Sequence, residues 1–325
     1  MKKQTFIHSL LALTILSVAA LAAEPTEPGV AYTDRQLGGT RPGSLLIYNV
    51  YSSAPTGGTD ENTEISLTNT NNVNAAFVHL FFVSTACATA DSYICLTPNQ
   101  TARFLASDVD PGTDGYIIAI ATNRDTGCPV QFNYLIGSEL VRLRSGHSAS
   151  LPAEAVAALS DLRGCRSTSV DATLNFNDRD YARLPRVLAV DRIASILDGN
   201  SNLLVVNSIN GNLAVGVTPV NINGVLFDDA EDAFSFSFNG ACQSRKEFSD
   251  VFPRTTPRFS LIIPQGRSGW MKLFATREQA LTGAILYFNP GSGTVAGAFT
   301  GGHNLHHLRA TDTATLTMPV FPPSC

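Results

Sequence analysis

The chain has 325 residues and a formal charge of −5, from 22 basic and 27 acidic side chains. Nucleic acid and anionic lipid surfaces are gripped by clustered Lys and Arg, so this balance, with no basic run anywhere, argues against both as partners. At 44% hydrophobic residues a chain of this length can build two respectable cores.

In chain order, Lys2 and Lys3 precede the apolar run "FIHSLLALTILSVAALAA", which ends in small residues before "EPTEPG". This is the pattern of a secretory signal peptide over residues 1–22, with a cleavage site at Ala20-Leu21-Ala22. The run is short for a membrane span and no stop-transfer charge follows it. No later segment is long and apolar enough to cross a bilayer. The expectation is therefore an exported chain, periplasmic, cell-surface or extracellular, with no transmembrane segment after cleavage. Residues 23–43, rich in Pro and Gly, read as an extended lead-in.

Residues 44–165 and 186–325 then read as two copies of one unit, with a linker over 166–185. Shifted by 155 positions, Phe81 falls on Phe236, Ala86-Cys87 on Ala241-Cys242, Pro98 on Pro253, and Thr101, Arg103 and Phe104 on Thr256, Arg258 and Phe259. One residue out of step, the match continues with Gly115 on Gly269, Tyr116 on Trp270 and Ala121-Thr122 on Ala275-Thr276. Upstream, "NTEISLTNT" matches "NSNLLVVNS" at a shift of 138, which places an inserted loop around 210–233 in the second copy. Downstream, "LRSGHSASL" matches "LRATDTATL".

Each copy is a series of short β-branched and aromatic runs between Gly, Pro, Asn and Asp. Examples are "GSLLIYNVY", "AAFVHLFFV" and "GYIIAIAT", then "FSFSF", "FSLIIP" and "GAILYFN". The expected fold is all-β: two tandem, internally duplicated β-sandwich domains of Ig-like type. One short helix is expected at the end of the first, where Ser150 precedes "LPAEAVAALSDLR" and Gly164 follows.

Six cysteines in an exported chain, none in a Cys-x-x-Cys, imply disulfides. Treating Cys87 and Cys242 as equivalent gives them equivalent partners, hence Cys87–Cys165 and Cys242–Cys325, with Cys95–Cys128 remaining.

Residues shared by both copies are read as fold-building, so chemistry is sought among the unshared ones. Asp108, Asp110 and Asp114 crowd a turn whose counterpart has no acid; three carboxylates there offer oxygen ligands to Ca²⁺, although turn acids more often cap their own backbone. His303, His306 and His307 offer imidazoles to Zn²⁺ or Cu²⁺, but in a strand His306 and His307 point to opposite faces. Asp228, Asp229, Glu231 and Asp232 form an acidic cluster in the inserted region, where binding contacts often reside.

No nucleophile elbow, zinc-protease helix or phosphate loop is present. The expected function is a non-catalytic, structural, cell-surface or partner-binding (adhesion-like) role. It requires no cofactor, with calcium as an optional ligand, and its partner is another surface protein, a like subunit or an extracellular glycan. The alternatives are a carbohydrate-binding module and, after it, a secreted hydrolase without a recognisable motif.

Overall fold

The computed structural model describes residues 41–54, 61–161, 164–217, 221–291 and 297–325. The expected signal peptide and all but the last three residues of the lead-in lie outside them. The strands of the first half are β1 (Leu45–Ser52), β2 (Asn62–Asn69), β3 (Ala76–Ser84), β4 (Thr89–Leu96), β5 (Thr101–Leu105), β6 (Asp114–Thr122), β7 (Leu135–Arg142), β8 (Ser148–Pro152) and β9 (Glu154–Val156). The second half holds β10 (Asp171–Phe176), β11 (Pro185–Ala194), β12 (Ser201–Ser208), β13 (Gly211–Asn212), β14 (Gly216–Val217), β15 (Asn221–Phe227) and β16 (Ala233–Asn239). It continues with β17 (Gln243–Glu247), the one-turn helix α1 (Phe259–Ile262), β18 (Ser268–Ala275), β19 (Leu281–Asn289), β20 (Phe299–Asn304), β21 (His306–Ala310) and β22 (Ala314–Pro319).

These strands form five small, mainly antiparallel sheets, arranged as the blades of a five-bladed β-propeller and not as two tandem sandwiches. Blade I has the order β10-β22-β13-β14, with β13 running parallel to β22. Blade II is β4-β3-β6-β1-β9, blade III β5-β2-β7-β8, blade IV β17-β12-β19-β20 and blade V β16-β15-β18-β11-β21. Blades II and V thus have the same strand order, as do III and IV.

Blade II shows why the sandwich expectation fails. A sandwich buries one face of each sheet, whereas blade II is covered on both. Leu45 and Ile47 of β1, Phe81 and Val83 of β3, and Ile118 and Ile120 of β6 pack against blade I. Their neighbours Leu46, Tyr48, Leu80, Phe82, Ile117 and Ala119 pack against Ile65 and Leu67 of blade III. Alternate residues of a strand point to opposite faces, so a doubly covered sheet needs unbroken apolar runs, and "AAFVHLFFV" and "GYIIAIAT" are such runs. Further along, Val141 and Leu151 of blade III meet Val205, Ala284 and Leu286 of blade IV. Leu204 and Val206 of blade IV meet Leu188, Leu226 and Leu273 of blade V. The cores therefore form one relay across both halves of the chain. The five blades belong to one compact unit.

Several local expectations are corrected. The segment expected as a helix, "LPAEAVAALSDLR", instead begins in β8 and continues as β9, which pairs with β1 through Leu45–Val156, Leu46–Ala155 and Ile47–Glu154. Every residue from Ala153 to Ala158 is buried. A helix there would leave β1 without its neighbour, and tertiary pairing overrides the helix preference of alanine. "FSLIIP", expected as a strand, contains α1. The linker expected over 166–185 contributes β10 to blade I.

The cysteine pairs differ as well. The structure joins Cys87 to Cys242, Cys95 to Cys325 and Cys128 to Cys165, in place of Cys87–Cys165, Cys242–Cys325 and Cys95–Cys128. The premise of equivalence is what fails. Cys87 lies in the β3–β4 turn, whereas Cys242 immediately precedes β17, and the two Cα atoms stand 5.3 Å apart. They are partners of one another. Likewise Arg103 lies in β5 while Arg258 precedes α1, so that part of the 155-residue match is not structural. Gly115 and Gly269 are structural equivalents. Each pairs with the residue just past a β-bulge in the neighbouring strand, Tyr51 of β1 and Ile193 of β11, and a Cβ there would stand 1.9 Å from the Val83 carbonyl oxygen and 2.4 Å from that of Phe227. In β2 and β12 the match slips by one residue, since core-facing Ile65 and Leu67 correspond to core-facing Leu204 and Val206, and a one-residue slip would turn every side chain to the wrong face.

Candidate functional site

Strands β1 and β11 occupy the same place in blades II and V, and both carry a bulge. Pairing of β1 with β6 skips between Tyr48 and Tyr51, and pairing of β11 with β18 skips between Val190 and Ile193. A bulge re-aims the side chains at its apex. On β1 these are Asn49 and Val50; on β11 they are Asp191 and Arg192, the latter with a left-handed φ of 55°. The neighbouring strands match too, for Ile47 faces Glu154 on β9 as Ala189 faces His306 on β21. One corner has therefore been built twice, once with Asn49 and Glu154, once with Asp191 and His306.

The first version is buried and fully polar. Asn49 Nδ2 donates to Glu154 Oε1 at 2.7 Å and to Asn304 Oδ1 at 3.0 Å. Asn207 Nδ2 and Gln243 Nε2 each donate to the Asn49 carbonyl at 3.0 Å. The Val50 N–H donates to the Glu139 carboxylate at 3.1 Å. Burial pushes that carboxyl well above its usual range, and the backbone N–H groups of Val50 and Asn49 oppose the rise. Arg245 completes the network, its Nε donating to Gln243 Oε1 at 2.7 Å and its Nη2 to the Tyr51 carbonyl at 2.6 Å. The groups come from blades II, III and IV, and their hydrogen bonds lock those blades together.

The second version lies at the surface. Asp191 Oδ1 is 3.1 Å from His303 Nε2 and 3.2 Å from His306 Nε2. Among the described residues this is the one group of three His, Cys or acidic side chains whose ligand atoms converge. His303 comes from β20 in blade IV, the other two from blade V. Tyr287 on β19 donates its hydroxyl to the Asp191 carbonyl at 2.9 Å and places that oxygen 3.1 Å from His303 Nε2. Two of the three sequence-predicted histidines are thus brought together, with Asp191 in place of His307. As alternation requires, His307 faces the other way, with Nε2 3.0 Å from Glu154 Oε2. Asp191 carried no signal in sequence, because 112 positions separate it from His303 and only the bulge turns it toward the histidines.

Asp108, Asp110, Asp114, Asp228 and Asp229 are instead held by protein partners. Asp108 Oδ2 accepts from the Leu105 N–H at 2.9 Å, Asp110 Oδ2 accepts from the Tyr51 hydroxyl at 2.6 Å, and Asp114 pairs with Arg245 at 3.3 Å. The three carboxylates point to three partners and do not gather round one point. In the acidic cluster, Asp229 is paired with Arg267, which holds its carboxyl below the usual range. Asp228 Oδ1 accepts from the Ala230 and Asp232 N–H groups at 2.9 Å. This cluster is the β15–β16 hairpin turn, the counterpart of the β3–β4 turn that carries Cys87; the insertion itself is the short β13–β14 ribbon of blade I. Trp270 stacks on Phe227 with centroids 4.4 Å apart and planes 9° from parallel, so one ring face is already covered.

None of the described helices is long and apolar enough to cross a membrane. A comparison with protein-family models finds no match, and no curated protein matches the chain in sequence.

Proposed function

We propose that this protein is an exported, non-catalytic scaffold with a structural, cell-surface or partner-binding role. The observation that carries the reading is the use of cysteine. All six are paired, and two of the three bridges join segments 155 and 230 positions apart. Bonds of this kind form and persist in oxidising compartments, and they suit a chain that must keep its shape without cellular reductants or chaperones. The polar groups between blades serve the same end, for Glu139 and Arg245 hydrogen-bond from blades III and IV to the backbone of blade II.

A partner-binding role draws support from the outer edge of blade V. Among the described residues no strand pairs with the free side of β16, whose Phe234, Phe236 and Phe238 alternate with Ser235 and Ser237. Such an edge is a template for strand addition by another chain.

The test is fractionation of cells producing the full chain or a version lacking residues 1–22, followed by alkylation and mass measurement. The full chain should leave the cytoplasm and take up no alkyl groups until reduced. A chain that stays in the cytoplasm with six reactive thiols would overturn the reading.

A further inference from the structure

The exposed corner of blade V has the composition and spacing of a metal centre. We propose that Asp191, His303 and His306 bind a divalent transition-metal ion of the zinc and copper class. Two imidazole nitrogens and one carboxylate oxygen are ligands that such ions prefer, while calcium and magnesium take oxygen alone.

Three observations support this beyond proximity. First, ligands about 2.0 Å from a tetrahedral zinc stand about 3.3 Å apart, and the Asp191 oxygen is already 3.1 and 3.2 Å from the two nitrogens. Second, His303 Nδ1 lies 2.8 Å from the Asn304 carbonyl oxygen. A carbonyl only accepts, so Nδ1 is the donor in that contact and Nε2 is turned toward Asp191, the usual outer-shell arrangement of a ligating histidine. Nε2 faces two oxygens, Asp191 Oδ1 at 3.1 Å and the Tyr287 hydroxyl at 3.1 Å. Third, the duplicated corner in blade II is closed by a buried Asn49–Glu154 hydrogen bond, so the fold itself does not call for histidine and aspartate here.

The side chains of Asp191, His303 and His306 are 45%, 31% and 58% exposed, which leaves a fourth coordination position open to solvent. The bound ion would link blade IV to blade V, and its open position suits a water molecule or a donor from a second molecule.

The experiment is titration of zinc chloride into the oxidised, chelator-stripped chain against a competing zinc indicator. One equivalent should bind. Asp191→Asn, His303→Asn and His306→Asn should each weaken binding by about tenfold or more, an outer-shell loss alone costing about 10–100-fold, while His307→Asn keeps the wild-type affinity. A wild-type affinity no higher than that of the His303→Asn/His306→Asn double variant overturns the proposal, as does an equal loss in His307→Asn. A second readout needs no variant. Zinc should protect His303 and His306 of the native chain from diethylpyrocarbonate, as read by peptide mass spectrometry, and leave His307 as reactive as before; protection of neither overturns the proposal.

Discussion

Glu139 shows how a single buried acid sets a pH dependence. Its folded pKa is raised above the ordinary 4.5 by burial. From about pH 4.5 upward the folded chain keeps a proton that the unfolded chain has lost, so stability falls as pH climbs through that window. Glu139→Gln removes the ionisation, and its melting temperature should fall less than that of wild type as the pH rises above about 4.5; parallel curves for the two proteins would contradict this. Glu139→Ala also strands the bulge N–H of Val50 in a dry interior and should cost about 1–3 kcal/mol by urea unfolding. Gly115 and Gly269 make the complementary point about space. Neither has a positive φ, yet each lies against a carbonyl oxygen closer than any Cβ tolerates. Gly115→Ala and Gly269→Ala should each lower stability by about 1–3 kcal/mol or more, and an unchanged denaturation midpoint for either would show that the close approach is relaxed in solution.

At the scale of elements, the C-terminal segment after β22 is a strap over one face of blade II at β4. Tyr93 donates its hydroxyl to the Phe321 carbonyl at 2.7 Å, Phe321 meets the buried His79 ring edge-on, and Cys325 is bonded to Cys95 on β4. Tyr93 and Cys95 lie on one face of β4 and His79 is opposite Tyr93, so the strap shields the Tyr93 and His79 rings on that face. Replacing Cys95 and Cys325 together by Ser should free the strap, seen as protease cleavage beyond Pro319 under native conditions and as a greater tendency to associate. If both are unchanged, the noncovalent contacts alone hold the segment. The segment Ala153–Ala158 carries the converse lesson. Its small residues look helical by propensity, but their use is to let β9 fit tightly beside β1 at the blade interface.

The whole molecule is one relay of cores, and its halves are joined covalently by Cys87–Cys242 and Cys95–Cys325. A protease site inserted after Ala230, in the exposed β15–β16 turn, tests this directly. The cut chain should run as one species without reductant and separate into two pieces with it. Pairs of the kind Cys87–Cys165 and Cys242–Cys325 would each lie within one piece, so separation without reductant would refute the observed connectivity. Loss of the Cys87–Cys242 bridge in a double Ser variant should cost about 2–5 kcal/mol.

Much was legible from the residues alone. Short β-branched and aromatic runs declared an all-β chain, because strand formation depends on side chains a few positions apart. The six cysteines declared disulfides, and the alternation rule separated His306 from His307. Even the doubly buried strands of blade II were written in "AAFVHLFFV", although as unbroken runs that fit more than one architecture. What the chain order could not carry was which faces meet. The Cys87–Cys242 bond, the five blades in place of two sandwiches, and the turning of Asp191 toward His303 all depend on contacts between segments more than 100 residues apart. Such contacts are set by the packing of whole sheets, a balance of buried area and strand register that no local spacing records.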